Sequence, residues 1–246
     1  MTNIIAEIGL NHLGNSKNLM RMVKKIIDSR VDALTVQIQK DEYYDLSKPF
    51  RKKIDLNTYK KIAKICKLKK IKFGIALVDK KTLKDFSSLN VDFWKILSMQ
   101  FFNTELIKKT ISTRKKVYLS AGIVSMKDIK AMGKRFKSLN LIHTSFSLKL
   151  KEANLLAIKN MKNKVKNKIS FGLHSTSDDL IISAIALQSE SIFFYVKNND
   201  KKQYPDNEHA INLDKLKVKV KNWRKMLVSL GNGIKKRESL PKWVFE

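Results

Sequence analysis

Cysteine, proline, glycine and acidic side chains are all scarce in this chain. Its 246 residues include a single cysteine, Cys66, which excludes an internal disulfide and fits a reducing compartment. Cys66 lies in a helical pattern without a partner and is expected in or near the core. With only 3 prolines and 8 glycines, no linker-like stretch interrupts the chain, so one domain is expected. Apolar runs are short. None approaches the roughly 18 residues needed to cross a bilayer, and the N-terminus lacks a charged segment followed by a long apolar core. A soluble, cytoplasmic protein without membrane contacts is the expectation.

Asp and Glu number 22 against 51 Lys and Arg, a formal net charge of +29. Such an excess invites a nucleic-acid reading. The lysines are spread over almost every helix and loop instead of forming a stripe, and no aromatic-rich strand offers a base-stacking platform. Specific nucleic-acid binding is therefore not expected, and weak adhesion to polyanions at low salt is.

What is present is an alternation. Ile4 to Ser16, IIAEIGLNHLGNS, joins a short apolar strand to a loop carrying Glu7, Asn11, His12 and Gly14. A helix over Asn18–Arg30 follows, with Ser16 placed to cap it. Strands are then expected at Val31–Ile38, Ile71–Leu77, Val91–Leu97, Lys116–Ser120, Leu141–Thr144, Lys168–Leu173 and Glu190–Val196. Helices are expected at Leu56–Lys69, Lys80–Leu89, Asn103–Ser112, Ser125–Leu139, near Lys151–Met161, at Ser177–Leu187 and at Leu213–Leu230. The acidic, aromatic stretch Asp41–Phe50 reads as a functional loop over the mouth. Eight strand and helix units with short connections predict a single (β/α)8 TIM barrel of the α/β class, in which chemistry sits at the C-terminal ends of the strands.

Three of the four histidines fall near those ends: His12 after the first strand, His143 in the sixth, His174 after the seventh. Gln37 and Gln39 end the second strand, Lys95 and Ser98 the fourth, Ser120 and Gly122 the fifth. A lysine in an otherwise apolar strand needs an anionic partner or a route to the rim, so Lys95 is a candidate for holding a phosphate or carboxylate.

AEIG-x-NH-x-G at the start resembles the opening strand and loop of the sialic acid synthases, which condense phosphoenolpyruvate with N-acetylmannosamine or a related sugar. The likeness recurs. WKILSMQ (Trp94 to Gln100) is similar to that family's K-I-G-S-G-E strand end, LSAGIVSMKDI (Leu119 to Ile129) to L-S-T-G-M, and LIHTS (Leu141 to Ser145) to L-H-C-T-S. SFGLHSTSDDLIISAIAL resembles the G-Y-S-D-H-T strand and helix with His174 at the histidine position, and YPDNEHAINLDKL resembles P-D-x-x-x-x-L, giving Asp206 the aspartate.

The resemblance implies a barrel over residues 1–232 and a short tail over 233–246. It implies that Lys95, Ser98, Ser120, Gln37 and His143 bind substrate, that Glu7, Asn11, His12 and Asp206 orient the sugar or move protons, and that His174 binds a divalent metal, manganese or magnesium. Phosphoenolpyruvate and an amino sugar are the implied partners, and a homodimer the implied assembly.

Several positions depart from the family pattern. Thr35 stands where the family has a phosphate-binding lysine, and Ala76 where it has a threonine. Phe194 and Val196 take the places of the glutamate and metal-binding histidine of E-K-H, Leu97 that of a glycine between Lys95 and Ser98, and Gln100 that of a glutamate. SLGNGIKKRESLPKWVFE ends the chain where family members continue into a small antifreeze-protein-like domain that reaches the partner's sugar site. Two functions are therefore expected in competition: a synthase making a 2-keto sugar acid and phosphate, and a catalytically degenerate barrel serving as a binding or partner subunit.

Overall fold

A computed structural model describes residues 2–45 and 47–235; the expected tail lies outside the described residues from 236 onward. In it the eight alternations close on themselves. The barrel strands are β1 (Asn3–Gly9), β2 (Ala33–Gln37), β3 (Lys72–Leu77), β4 (Phe93–Ile96), β5 (Lys116–Ser120), β6 (Asn140–Thr144), β7 (Lys168–Leu173) and β8 (Ser191–Lys197). Each pairs in parallel with the next, and β1 also pairs with β8, so the barrel has no free edge. The crossover helices are α1 (Ser16–Asp28), α2 (Leu56–Leu68), α3 (Lys80–Asp85), α4 (Thr104–Ile111), α5 (Met126–Arg135), α6 (Leu156–Lys164), α7 (Leu180–Ala186) and α8 (Leu213–Ser229). No helix among the described residues is long and apolar enough to cross a membrane.

Successive strand side chains point to opposite faces, and that alternation sorts the barrel. Ile5, Ala33, Phe93, Tyr118, Ile142 and Phe193 form a separate buried cluster in the lumen. Edge-to-face contacts of Tyr118 with Phe93 (5.5 Å) and Phe193 (4.9 Å) lock it. The intervening residues, such as Leu34, Trp94, Leu119 and Phe194, face the helices and join the large outer core with Cys66. Two residues further along each lumen strand the chemistry changes, to Glu7, Thr35, Lys95, Ser120, Thr144 and Tyr195. An apolar plug thus supports a polar layer toward the C-terminal ends.

Local signals adjust several boundaries. Asn15, not Ser16, caps α1, its side chain accepting from the Asn18 amide. The capping box of Ser125 and Asp128 starts α5, which stops at Arg135, short of the expected Leu139. The helix expected from Lys151 is broken. A 3-10 turn at Leu150–Ala153 ends at Asn154 with φ 42°, and α6 begins only at Leu156. α7 likewise begins at Leu180 instead of Ser177. A two-residue strand, β9 (Ile211–Asn212), pairs with the end of β8 and was not visible in the apolar pattern. The Asp41–Phe50 loop is tied to one side: Asp41 pairs with Lys53 at 2.6 Å and Lys81 at 3.0 Å.

Candidate active site at the barrel mouth

Glu7 and Lys95 meet across the lumen. Lys95 Nζ lies 2.6 Å from both carboxylate oxygens of Glu7, and the side chains are only 5% and 4% exposed. Lys95 therefore does not snorkel to the rim. Its anionic partner belongs to the chain itself, and the ammonium also lies 5.0 Å from the Phe193 ring and 5.8 Å from that of Tyr195.

A loop folded over β8 brings the second acid. Asn11 is fully buried, its Nδ2 donating to the Val196 carbonyl (2.9 Å) and its Oδ1 accepting from the Asp206 amide (3.2 Å). Lys197 donates to the carbonyl and side-chain oxygens of Asn207, at 2.6 and 2.8 Å. These straps hold Asp206 and His209 beside Tyr195. Gly9 makes room for them. At φ +56° it occupies the left-handed region, and a Cβ there would stand 2.6 Å from the Tyr195 ring and 2.9 Å from Asp206 Oδ2.

The surroundings set the protonation states. Burial, reinforced by the Glu7 carboxylate and opposed by Lys95, pushes Asp206 up to about 7. Burial pushes His174 down to about 3, with Lys95 and His209 adding to the effect, and His209 down to about 4, with Lys197 adding. Both imidazoles are neutral near pH 7. Tyr195 is held well above its ordinary value, mainly by burial, and stays protonated.

His174 stacks at 5.2 Å on Phe146 and lies 5.6 Å from Tyr195 and 5.0 Å from His209. Its Nδ1 is 2.6 Å from Thr144 Oγ1. Among the described residues no group of three or more His, Cys, Asp or Glu side chains is assembled for a metal ion. The buried Nε2 of His209, however, has no hydrogen-bond partner.

A model of the NeuB family matches residues 17–235. The chain belongs to the NeuB family. Curated relatives include the N,N'-diacetyllegionaminic acid synthase of Campylobacter jejuni, 24% identical over 96% of this chain and 79% of that protein. The N-acetylneuraminate-9-phosphate synthase of Mus musculus is 23% identical over 86% of this chain and 66% of its own length. Among solved structures, the N-acetylneuraminic acid synthetase of Leptospira borgpetersenii, in complex with citrate, superposes with a TM-score of 0.87. It is 23% identical and covers 97% of this chain and 88% of that one.

Within this NeuB-family barrel the residues singled out from sequence divide. Glu7, Lys95, Asp206 and His174 are joined by the electrostatic couplings above, and Ser120 and Gln37 face the lumen by alternation. Ser98 follows β4 in a 3-10 turn begun by an extended Leu97, with no glycine required. Its Oγ accepts from the Gly122 amide at 3.1 Å. Asn11 is a strap with its amide already committed. His12 accepts from the Gly14 amide through Nδ1 (3.0 Å), and burial alone pushes it down to about 4. Its bonds stay within its own loop.

His143 is a correction. It lies between the lumen residues Ile142 and Thr144 and so faces the helix layer, where Nε2 is 2.9 Å from the Ala153 carbonyl and the ring lies against Phe171. His143→Phe is accordingly expected to cost about 1–2 kcal/mol in urea unfolding and to leave ligand titrations unchanged. Phe194 and Val196 need the same correction. Both are fully buried in the outer core, Phe194 against Trp223, so β8 turns Tyr195 into the mouth instead. Sequence reading missed Tyr195 and Thr144, although two-residue spacing from Phe193 and Ile142 could have found both. Thr35 does occupy the lumen, but its buried hydroxyl has no partner.

Proposed function

We propose that this chain is a synthase of nonulosonate biosynthesis, condensing phosphoenolpyruvate with an N-acetylmannosamine-type amino sugar to give a 2-keto sugar acid and phosphate. The observation that carries this reading is that a buried Lys95–Glu7 ion pair and a carboxylic acid poised near neutrality, Asp206, stand at one barrel mouth. Two curated relatives carry the names of synthases of such acids.

The enol carbon of phosphoenolpyruvate attacks the sugar aldehyde carbon, and the aldehyde oxygen takes up a proton. Water adds at C2, and the bond from C2 to the phosphate oxygen breaks to leave the keto acid. Asp206, half protonated near pH 7, is placed to deliver the proton. Lys95 supplies the fixed positive charge for the anionic substrate, shared with Glu7, and Ser98, Ser120 and Gln37 add neutral hydrogen-bonding groups. The overall charge of +29 favours encounter with an anion. A divalent ion at His174 would polarise the aldehyde as a Lewis acid, and the uncommitted Nε2 of His209 beside it fits such an ion.

The second reading, a binding or partner subunit, is favoured by Thr35, which offers no charge, and Ala76, which offers no hydroxyl, where the family resemblance calls for phosphate contacts, and by Glu7 occupying Lys95. Calorimetric titration of phosphoenolpyruvate, with and without manganese, separates the two. Micromolar binding followed by phosphate release with an aldehyde sugar is expected. No binding up to millimolar ligand would sink the synthase reading for this chain.

A further inference from the structure

We propose that the face of the barrel opposite the mouth docks on a lipid bilayer bearing anionic headgroups, through an unbalanced ring of lysines and arginines on the loops that lead into the strands. The inference goes beyond the synthase reading and does not depend on it.

Barrel closure sorts charges that look evenly spread along the chain. Among the described residues, the seven loops from a helix into the next strand, taken with the first residue of that strand, carry ten Lys or Arg against three acids. The eight loops from a strand into the next helix, taken with the last residue of the strand, carry ten against eleven. The mouth is therefore close to neutral, and the opposite face is strongly positive.

The three acids of that face are taken up by the barrel itself. Asp32 accepts from the Ile4 amide at 2.8 Å and from Arg224 at 2.9 Å, and Asp92 accepts from the Phe73 amide at 2.8 Å. Glu190 binds Lys116 and Lys168 at 3.1 and 2.9 Å. Arg30, Lys70, Lys72, Arg114, Lys137 and Lys166 are exposed and have no ion pair among the described residues. Helix dipoles do not account for them, because each of α1 to α6 already has a basic side chain in its last turn. Arg30, Lys70 and Arg114 moreover stand at φ 63°, 56° and 58°, left-handed positions that glycine would occupy without strain.

The shape of the array selects the partner. Parallel strands joined by crossover helices bring these loops to one end of the barrel, so the six cations form a broad, roughly planar ring. A bilayer surface is the planar anion that matches it. Nucleic acid fits less well: these loops expose no aromatic side chain to stack a base and present no helix or ribbon to enter a groove. A protein partner would call for an apolar centre, and no apolar side chain of these loops is exposed. The short apolar runs of the sequence bear on crossing a bilayer, not on resting against one. Each cation within about a Debye length of an anionic leaflet, ~10 Å at 0.1 M salt, tightens binding roughly fivefold. Docked in this way, the protein turns its mouth toward the solution.

Co-sedimentation of the purified full chain with vesicles tests the inference, using phosphatidylcholine with about one third phosphatidylglycerol, and phosphatidylcholine alone. At about 0.1 M salt, binding to the anionic vesicles only is expected. Combining Lys70→Gln, Lys72→Gln, Lys137→Gln and Lys166→Gln should weaken it at least about 100-fold. Combining Lys52→Gln, Lys151→Gln, Lys201→Gln and Lys202→Gln removes the same charge from the mouth and should weaken it less than about threefold. All eight side chains are exposed. Melting curves check folding, and Lys166→Gln alone, with an expected loss of about fivefold, serves if the combined variant is unstable. Equal losses in the two combined variants would make overall charge responsible and overturn the inference, as would no binding at that salt or equal binding to phosphatidylcholine alone. Tighter binding to duplex DNA, lost with the same four loop lysines, would overturn it by assigning the face to nucleic acid.

Discussion

Lys95→Met should destabilise the protein by about 3–5 kcal/mol, the usual cost of stranding one member of a buried ion pair. Glu7 would remain in the lumen, 3% exposed, without the only side chain that bonds its carboxylate among the described residues. The double substitution Glu7→Gln with Lys95→Met should recover most of that loss, because removing both charges removes the stranded one. Urea midpoints at unchanged slope would measure both effects. A single-variant loss below about 1 kcal/mol would mean that water reaches and solvates the pair. The double variant should also fail to bind phosphoenolpyruvate although it folds, and this separates the role of Lys95 in stability from its role in the proposed chemistry.

Asp206→Asn should do the opposite, making the metal-free protein more stable and less active. With its carboxyl pushed up from 3.8 to about 7, Asp206 and its unfolded counterpart both hold the proton below about pH 4. Between pH 4 and 7 the unfolded chain releases it while the folded chain does not, so this group's contribution to stability falls as pH rises. Above pH 7 the full penalty is present, on the order of 2–4 kcal/mol for a side chain one-fifth exposed. The gain from Asp206→Asn should therefore be near zero at pH 4 and largest at pH 8. His12, His174 and His209, pushed below 6.5, slope the other way, since they favour unfolding as the solution becomes acidic. Taking the difference between variant and wild type at each pH cancels them. Phosphate release by the variant should drop by about 10²–10⁴-fold if Asp206 delivers the proton. Undiminished release would remove it from that role.

Much of the barrel could be read from the chain because its signals are local. Each strand is a short β-branched or aromatic run, each helix has apolar residues at helical spacing, and the two alternate. Where the reading slipped, a single residue's backbone preference was responsible, as at Asn154, whose left-handed conformation splits the segment before α6. The facing of His143, Phe194 and Tyr195 was also within reach. Two-residue periodicity carries it once one lumen residue of the strand is known, but adjacency to a polar motif is no guide to which face a side chain takes.

The site is a different matter. Sequence by itself determined that an acid, a lysine and a histidine, Glu7, Lys95 and His174, end on one rim, because parallel strands joined by crossover helices put all their C-terminal ends together. Only the tertiary structure decided that Lys95 spends its charge on Glu7, 88 residues away. The same holds for Asn11 fastening the loop of Asp206 across 195 residues, and for His209 meeting His174. These pairings depend on barrel closure, on the register of β1 against β8 and on the path of one loop, and none of those quantities is written in the spacing of neighbouring residues.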